Sequence, residues 1–145
     1  MMLKNKVAIV TGGTRGIGFA VVKKFIENGA AVSLWGSRQE TVDQALEQLK
    51  ELYPDAKISG KYPSLKDTAQ VTAMINQVKE EFGAVDILVN NAGISQSTSF
   101  YNYQPEEFQK IVDLNVTAVF NCSQAAAKIM KEQGGGVILN TSSMV

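Results

Sequence analysis

Val7-Ala8-Ile9-Val10-Thr11-Gly12-Gly13-Thr14-Arg15-Gly16-Ile17-Gly18 is the stretch that decides the fold. A short apolar run stops at a glycine-rich turn, and a helical pattern starts at once. Gly12 can take backbone angles closed to other residues, so the chain turns sharply after Val10. Gly16 lets a phosphate come close to the backbone, and Gly18 lets the helix pack near the strand. Such a turn presents a helix N-terminus, with free amides and the positive end of the dipole, to a dinucleotide pyrophosphate. The spacing is Gly-x-x-x-Gly-x-Gly rather than Gly-x-Gly-x-x-Gly, and no Gly-Lys-Ser/Thr follows, which sets a Walker loop aside. A tight glycine turn with no ligand is the plain alternative.

Outward from this turn, strand and helix alternate to the end of the sequence. The spacing predicts a strand over 6–10 and a helix over 16–27, with Ile17, Val21 and Phe25, together with Val22 and Ile26, turned toward a core. Asn28-Gly29 stops that helix, since both tolerate a left-handed cap. A strand over 31–35 follows. Ser37-Arg38-Gln39-Glu40 reads as a capping box, and Val42, Ala45, Leu46 and Leu49 continue at helical spacing. A weaker strand covers 57–62. Val71, Met74, Ile75, Val78 and Phe82 set a helix over 67–82, closed by Gly83. Residues 85–89 form a strand, apolar except for Asp86. Pro105 suits the first turn of a long helix reaching about Gln133, with Phe108, Ile111, Val112, Val119 and Phe120 as its core stripe. Gly134-Gly135-Gly136 ends it, and a fifth strand covers 137–141.

Strands separated by helices pair in parallel through right-handed crossovers. Near-continuous apolar strands mean that both sheet faces are covered. The expected fold is therefore α/β, a doubly wound parallel sheet in the order 3-2-1-4-5. Ligands of such sheets sit beyond the carboxyl ends of the strands, where the order reverses. That point lies between the strands ending at Val10 and Val89, and the two most unusual loops, 11–18 and 90–93, follow those same strands.

At 145 residues the chain has the length of one domain with a real core. Its formal charge is zero, which gives no electrostatic footprint for nucleic acid or an anionic membrane. No apolar run is long enough for a membrane span, and the first residues lack a signal-peptide core. Cys122 is the one cysteine, so there is no internal disulfide, in keeping with a reducing cytoplasm. The absence of histidine excludes a Ser-His-Asp triad, a histidine-based zinc site and a histidine general base. No metal site is expected.

Four motifs in order then carry a resemblance. Thr11-Gly12-Gly13-Thr14-Arg15-Gly16-Ile17-Gly18, Asn90-Asn91-Ala92-Gly93, Asp113-Leu114-Asn115-Val116 and Ile138-Leu139-Asn140-Thr141-Ser142-Ser143 together resemble the short-chain dehydrogenase/reductase family. Within that family the sequence looks most like 3-oxoacyl-carrier-protein reductases and related bacterial ketoreductases or hydroxysteroid dehydrogenases. The resemblance implies that Gly12, Thr14, Arg15, Gly16, Ile17 and Gly18 hold the pyrophosphate and adenosine ribose of a nicotinamide cofactor. Asn91, Ala92 and Gly93 would line its ribose and adenine side. Ser143 would hydrogen-bond the substrate carbonyl or hydroxyl, and Asn115 would interrupt its helix and hold a water in a proton relay. Ordinary alternatives stand beside these roles: Asn91 as a loop stabiliser, Asn115 as a solvent-facing helix residue, Ser143 as a plain serine at a strand end.

Cofactor choice turns on Leu34-Trp35-Gly36-Ser37-Arg38. An acid at the end of this strand would bond the ribose 2′-hydroxyl of NAD, but Gly36 stands there. Arg15 and Arg38 are placed to meet a 2′-phosphate, and Ser37 adds a hydroxyl, so NADP(H) is preferred and NAD(H) is the alternative. Ser37 as a mere helix cap and Arg38 as a solvated first-turn residue is the competing reading. Where the family commonly has Asp or Asn to meet the adenine amino group, this chain has Tyr62-Pro63-Ser64-Leu65, which leaves Ser64 or the Leu65 backbone for that contact.

The family's proton donor is a tyrosine in Tyr-x-x-x-Lys, expected beyond Val145. Tyr53-Pro54-Asp55-Ala56-Lys57 and Tyr62-Pro63-Ser64-Leu65-Lys66 match the string, but proline after the tyrosine disfavours the helix that would bring the two side chains together. The chain is thus expected to be one incomplete cofactor-binding domain, residues 1–145, with its fifth strand an open edge. The full-length protein would move hydride between nicotinamide and a ketone/secondary alcohol pair, as a homotetramer or homodimer in the cytoplasm. The piece itself would have little or no turnover. A non-catalytic nucleotide-binding or oligomerisation module is the rival expectation.

Overall fold

The computed structural model describes residues 1–143. Five strands, β1 (Val7–Thr11), β2 (Ala31–Trp35), β3 (Ile58–Lys61), β4 (Ile87–Asn90) and β5 (Val137–Asn140), form one sheet in the order β3-β2-β1-β4-β5. Every pairing is parallel. Five helices connect them: α1 (Gly16–Glu27), α2 (Gln39–Leu52), α3 (Thr68–Phe82), α4 (Pro105–Val112) and α5 (Ala118–Gln133). The doubly wound expectation therefore holds, and β1 lies at the centre with all five residues buried.

The sheet separates two cores. On one face Ala8, Val10, Val32 and Leu34 meet Val22, Ile26, Val42 and Leu49 from α1 and α2. On the other Ile9, Trp35 and Leu88 meet Val71, Ile75 and Val78 of α3 and Cys122, Ala126 and Met130 of α5. Alternate residues of one strand thus feed opposite layers, which is why β1 reads as a continuous apolar run. Each fully buried aliphatic side chain contributes about 1.5–3 kcal/mol. Asp86, the polar exception before β4, accepts the Val7 amide at 2.8 Å and the Gln133 side-chain amide at 3.3 Å. It ties the lower ends of β1 and α5 together.

Several expectations need correction. In α1, Val22 and Ile26 are buried and Val21 and Phe25 pack partly buried against the same core, as expected, with Gly18 also buried; Ile17 is the exception. Ile17 is 69% exposed in the first turn of α1. The Ser37–Glu40 capping box does not form. Arg38 is the N-cap of α2, without a side-chain cap bond, and the Thr41 hydroxyl donates to its carbonyl. The long helix expected from Pro105 to Gln133 is broken by a π turn, Asp113–Thr117. Phe108 of α4 is exposed, and so is Phe120, the latter because α5 packs on α3 and β4 through its small side chains, with Ala118, Cys122, Ala125 and Ala126 buried. Close approach selects the small side of that helix and turns Phe120 outward.

Candidate functional site

The site is built where β1 and β4 end side by side. Thr11, the last residue of β1, is 2% exposed. Its Oγ1 accepts the backbone amides of Asn91 and Ala92, both at 3.0 Å, and donates to the Val89 carbonyl. One hydroxyl therefore fastens the loop after β4 to the end of β1. The Asn91 side-chain amide completes the clasp with a bond to the Gly12 carbonyl at 3.3 Å.

This closeness dictates the glycines. Gly12 has φ +63°, and a Cβ there would lie 2.9 Å from Ala92 Cα. A Cβ on Gly18 would collide with the Gly12 carbonyl and lie 2.6 Å from Asn91 Nδ2. Above Gly16 the space is open. The N-terminus of α1 has no side-chain cap and no acidic residue in its first turn, whereas α3 is capped by Asp67 through the Gln70 amide. The α1 amides and the positive end of its dipole are thus left facing outward over a side-chain-free approach, which suits an anion such as a pyrophosphate. Thr14, Arg15 and Ile17 border this opening, Arg15 and Ile17 exposed.

Further along the same rim, Ser37 and Arg38 are exposed at the turn after β2. The Gly36 amide donates to the Lys61 carbonyl and the Gly13 amide to the Trp35 carbonyl, each at 3.0 Å. The two glycine turns therefore share one hydrogen-bonded frame. Ser64 and Leu65 follow β3. The Ser64 amide donates to Gln70 Oε1 at 2.9 Å, and the Leu65 carbonyl accepts Asn121 Nδ2 at 3.0 Å. Asn121 is 4% exposed in α5 and also accepts the Thr68 hydroxyl, so it holds this loop. A lone asparagine among alanines at a buried helical position was the only signal for it in the sequence.

On the β4 side, Asn115 sits in the π turn. Its Oδ1 accepts the Ile94 amide and its Nδ2 donates to the Ile94 carbonyl, both at 2.9 Å. Gly93 lies against it: a Cβ there would be 3.3 Å from Asn115 Oδ1. Asn90, 4% exposed, pairs in register with Asn140 and donates from Nδ2 to Asn140 Oδ1 at 2.9 Å and to Ser123 Oγ at 3.0 Å. This bond fixes the end of β5 from which the chain runs on to Ser143, an exposed residue at the same end of the sheet. Thr11, Asn90, Asn121 and Asn140 are the positioning residues that sequence reasoning left out.

Neither Tyr-x-x-x-Lys string lies on a helix over its length. Tyr53 ends α2 and donates to Glu27 Oε1 at 2.7 Å. That bond holds the Glu27 carboxyl below its ordinary value and raises the Tyr53 phenol. Tyr53 is thereby committed at the C-terminal end of α1, away from the rim. Tyr62 follows β3, half exposed.

Fold and rim together define a doubly wound parallel α/β domain. The chain matches the short chain dehydrogenase family over residues 6–145, and it belongs to that family, whose members are oxidoreductases that use nicotinamide cofactors. It is 35% identical over 144 residues to the 3-oxoacyl-[acyl-carrier-protein] reductase FabG of Chlamydia muridarum, an alignment covering 99% of this chain and 58% of the relative. It is 33% identical to levodione reductase of Leifsonia aquatica over 97% of the chain and 53% of the relative. Among solved structures, a short-chain type dehydrogenase/reductase from Mycobacterium marinum superposes with a TM-score of 0.92 at 36% identity, covering 98% of this chain and 57% of the other. A levodione reductase crystal structure superposes with a TM-score of 0.91. The chain thus spans little more than half the length of the relatives it matches.

Proposed function

We propose that residues 1–145 are the cofactor-binding portion of an NADP(H)-dependent carbonyl reductase. The observation that carries this reading is the uncapped α1 N-terminus, open above Gly16 and walled by the Gly12–Asn91 clasp. Gly12, Thr14, Arg15, Gly16, Ile17 and Gly18 would hold the pyrophosphate and ribose. Asn91, Ala92 and Gly93 would line the cofactor beside β4, and Ser64 and Leu65 the adenine end. Arg15, Ser37 and Arg38 border the rim where a 2′-phosphate would lie, and the absence of a carboxylate at Gly36 favours that phosphate.

When bound, the nicotinamide supplies or accepts hydride. Ser143 would donate a hydrogen bond to the carbonyl oxygen of a ketone, or meet the hydroxyl of the alcohol. Ile94 takes one proton and one lone pair of the Asn115 carboxamide, so the second proton and the second lone pair are left to hold a relay water. Among the described residues neither Tyr-x-x-x-Lys string lies along a helix, and on this reading the 145-residue chain binds cofactor but turns over little. In full length we read a cytoplasmic homotetramer or homodimer acting on a small carbonyl substrate. The 3-oxoacyl and levodione reductions in the relatives' names indicate the class.

Calorimetric titration of the chain with NADPH and NADH tests this. Saturable binding, tighter for NADPH and without ketone reduction, is the expected result. Robust turnover removes the inactivity, and no binding of either coenzyme removes the reading. An oligomerisation module is the second reading, favoured by the exposure of Phe108 on α4, Val116 in the π turn and Phe120 on α5. Self-association without coenzyme binding would select it.

A further inference from the structure

The end of β2 is closed to side chains by its neighbours. A Cβ on Gly36 would lie 2.6 Å from Thr14 Cγ2 and 2.9 Å from Val42 Cγ2. Neither methyl is the loose end of a flexible chain, since both belong to β-branched residues with few rotamers. Val42 is 2% exposed and is held from behind. A side chain on Gly60 would strike its Cγ1, and Leu46 closes the same gap at 2.9 Å. Val42 is therefore wedged between two glycines on adjacent strand ends, Gly36 and Gly60. The backbone at 35–36 has no slack to offer either, because the Gly36 amide is bonded to Lys61 and the Trp35 carbonyl to Gly13.

We infer that Thr14 and Val42 form a steric gate that keeps position 36 free of a side chain. This gate, with the charges of Arg15 and Arg38, decides that the rim takes a phosphorylated rather than a bare adenosine ribose. The inference rests on the reading of the rim as a nicotinamide-dinucleotide site and goes one step past it. The carboxylate that would bind a 2′-hydroxyl is not simply missing; the packing forbids it. Selectivity is then a property of residues 14, 36 and 42 together, and position 36 cannot be exchanged alone. Thr14 has a double role: its methyl blocks residue 36, while the rest of the residue borders the pyrophosphate turn.

A mutant cycle tests the gate with two readouts, the thermal midpoint and the dissociation constants for NADP⁺ and NAD⁺. Gly36→Ala lowers the midpoint by roughly 3–8 °C in the wild-type background. With Thr14→Ala the loss shrinks, since the remaining Thr14 Cβ stands 3.8 Å from the new methyl, but part of it persists until Val42→Ala is added, because Val42 Cγ2 still lies at 2.9 Å. Gly36→Asp alone weakens NADP⁺ at least tenfold and brings no gain for NAD⁺. Gly36→Asp combined with Thr14→Ala tightens NAD⁺ about tenfold over Gly36→Asp alone, and Val42→Ala adds to that gain. Gly36→Asp that tightens NAD⁺ unaided with a wild-type midpoint overturns the gate, as do strictly additive effects of the two positions. Wild-type chain that binds neither coenzyme instead sinks the dinucleotide reading, and the selectivity with it. The two failures are therefore distinguishable.

Discussion

Asn115 and Ile94 are joined by a pair of 2.9 Å hydrogen bonds, side-chain oxygen to amide and side-chain nitrogen to carbonyl. The pair bridges the π turn between α4 and α5 to the loop that leaves β4, so the asparagine acts as a short strand partner for a segment that has no sheet of its own. Asn115→Leu removes both bonds at an exposed site, at a cost of about 1 kcal/mol. Hydrogen exchange should accelerate at Ile94 and along 94–104 while β1 and β4 amides stay protected. Unchanged protection at Ile94 would show that the pair does not hold the loop.

Thr11 reaches further. Its hydroxyl serves amides 80 and 81 residues away. Thr11→Val keeps the volume and strands those two amides, costing about 1–3 kcal/mol in urea denaturation, whereas Thr11→Ser keeps the hydroxyl and should lose less. Coenzyme affinity should fall with Thr11→Val, because the Asn91 clasp on Gly12 loosens. A valine variant as stable as the serine variant contradicts this.

Arg38 separates the two coenzymes by charge. Arg38→Asp should weaken NADP⁺ binding by about 1.5–3 kcal/mol, the scale of a hydrogen bond to a charged group, and leave NAD⁺ nearly unchanged. Equal losses for both coenzymes in parallel titrations would remove Arg38 from the 2′-phosphate.

Cys122 gives an alkaline signature. It is fully buried between α5 and the sheet, and burial pushes its thiol from 9.0 up to about 12. A raised value in the fold means that the neutral thiol is favoured there. Its contribution is therefore complete below about pH 9 and is lost as pH rises toward about 12. The urea midpoint should decline across that window, and Cys122→Ala should flatten the decline. The native thiol should also resist aromatic disulfide reagents at neutral pH until urea is added. Rapid labelling of the folded chain is the contrary result.

The sequence by itself determined the alternation of strands and helices, the strand order 3-2-1-4-5 and the place of the rim, because all three follow from periodicity and from a glycine turn that neighbouring residues specify. The break at Asn115 was implied only by the family resemblance, because the helical periodicity runs on without interruption from Pro105 to Gln133. Only the tertiary structure decided which faces are used and who bonds whom. Phe120 looks like core in a helical wheel, yet α5 approaches α3 and β4 on its alanine side and leaves the ring outside. Ser37 looks like a cap, yet α2 begins after Arg38. Thr11, Asn90 and Asn121 act on partners 33 to 81 residues away, and no local pattern encodes a bond across that distance. Gly36 is the sharpest case: the chain shows a glycine, and only the methyls of Thr14 and Val42 pressed against it show why nothing larger can stand there.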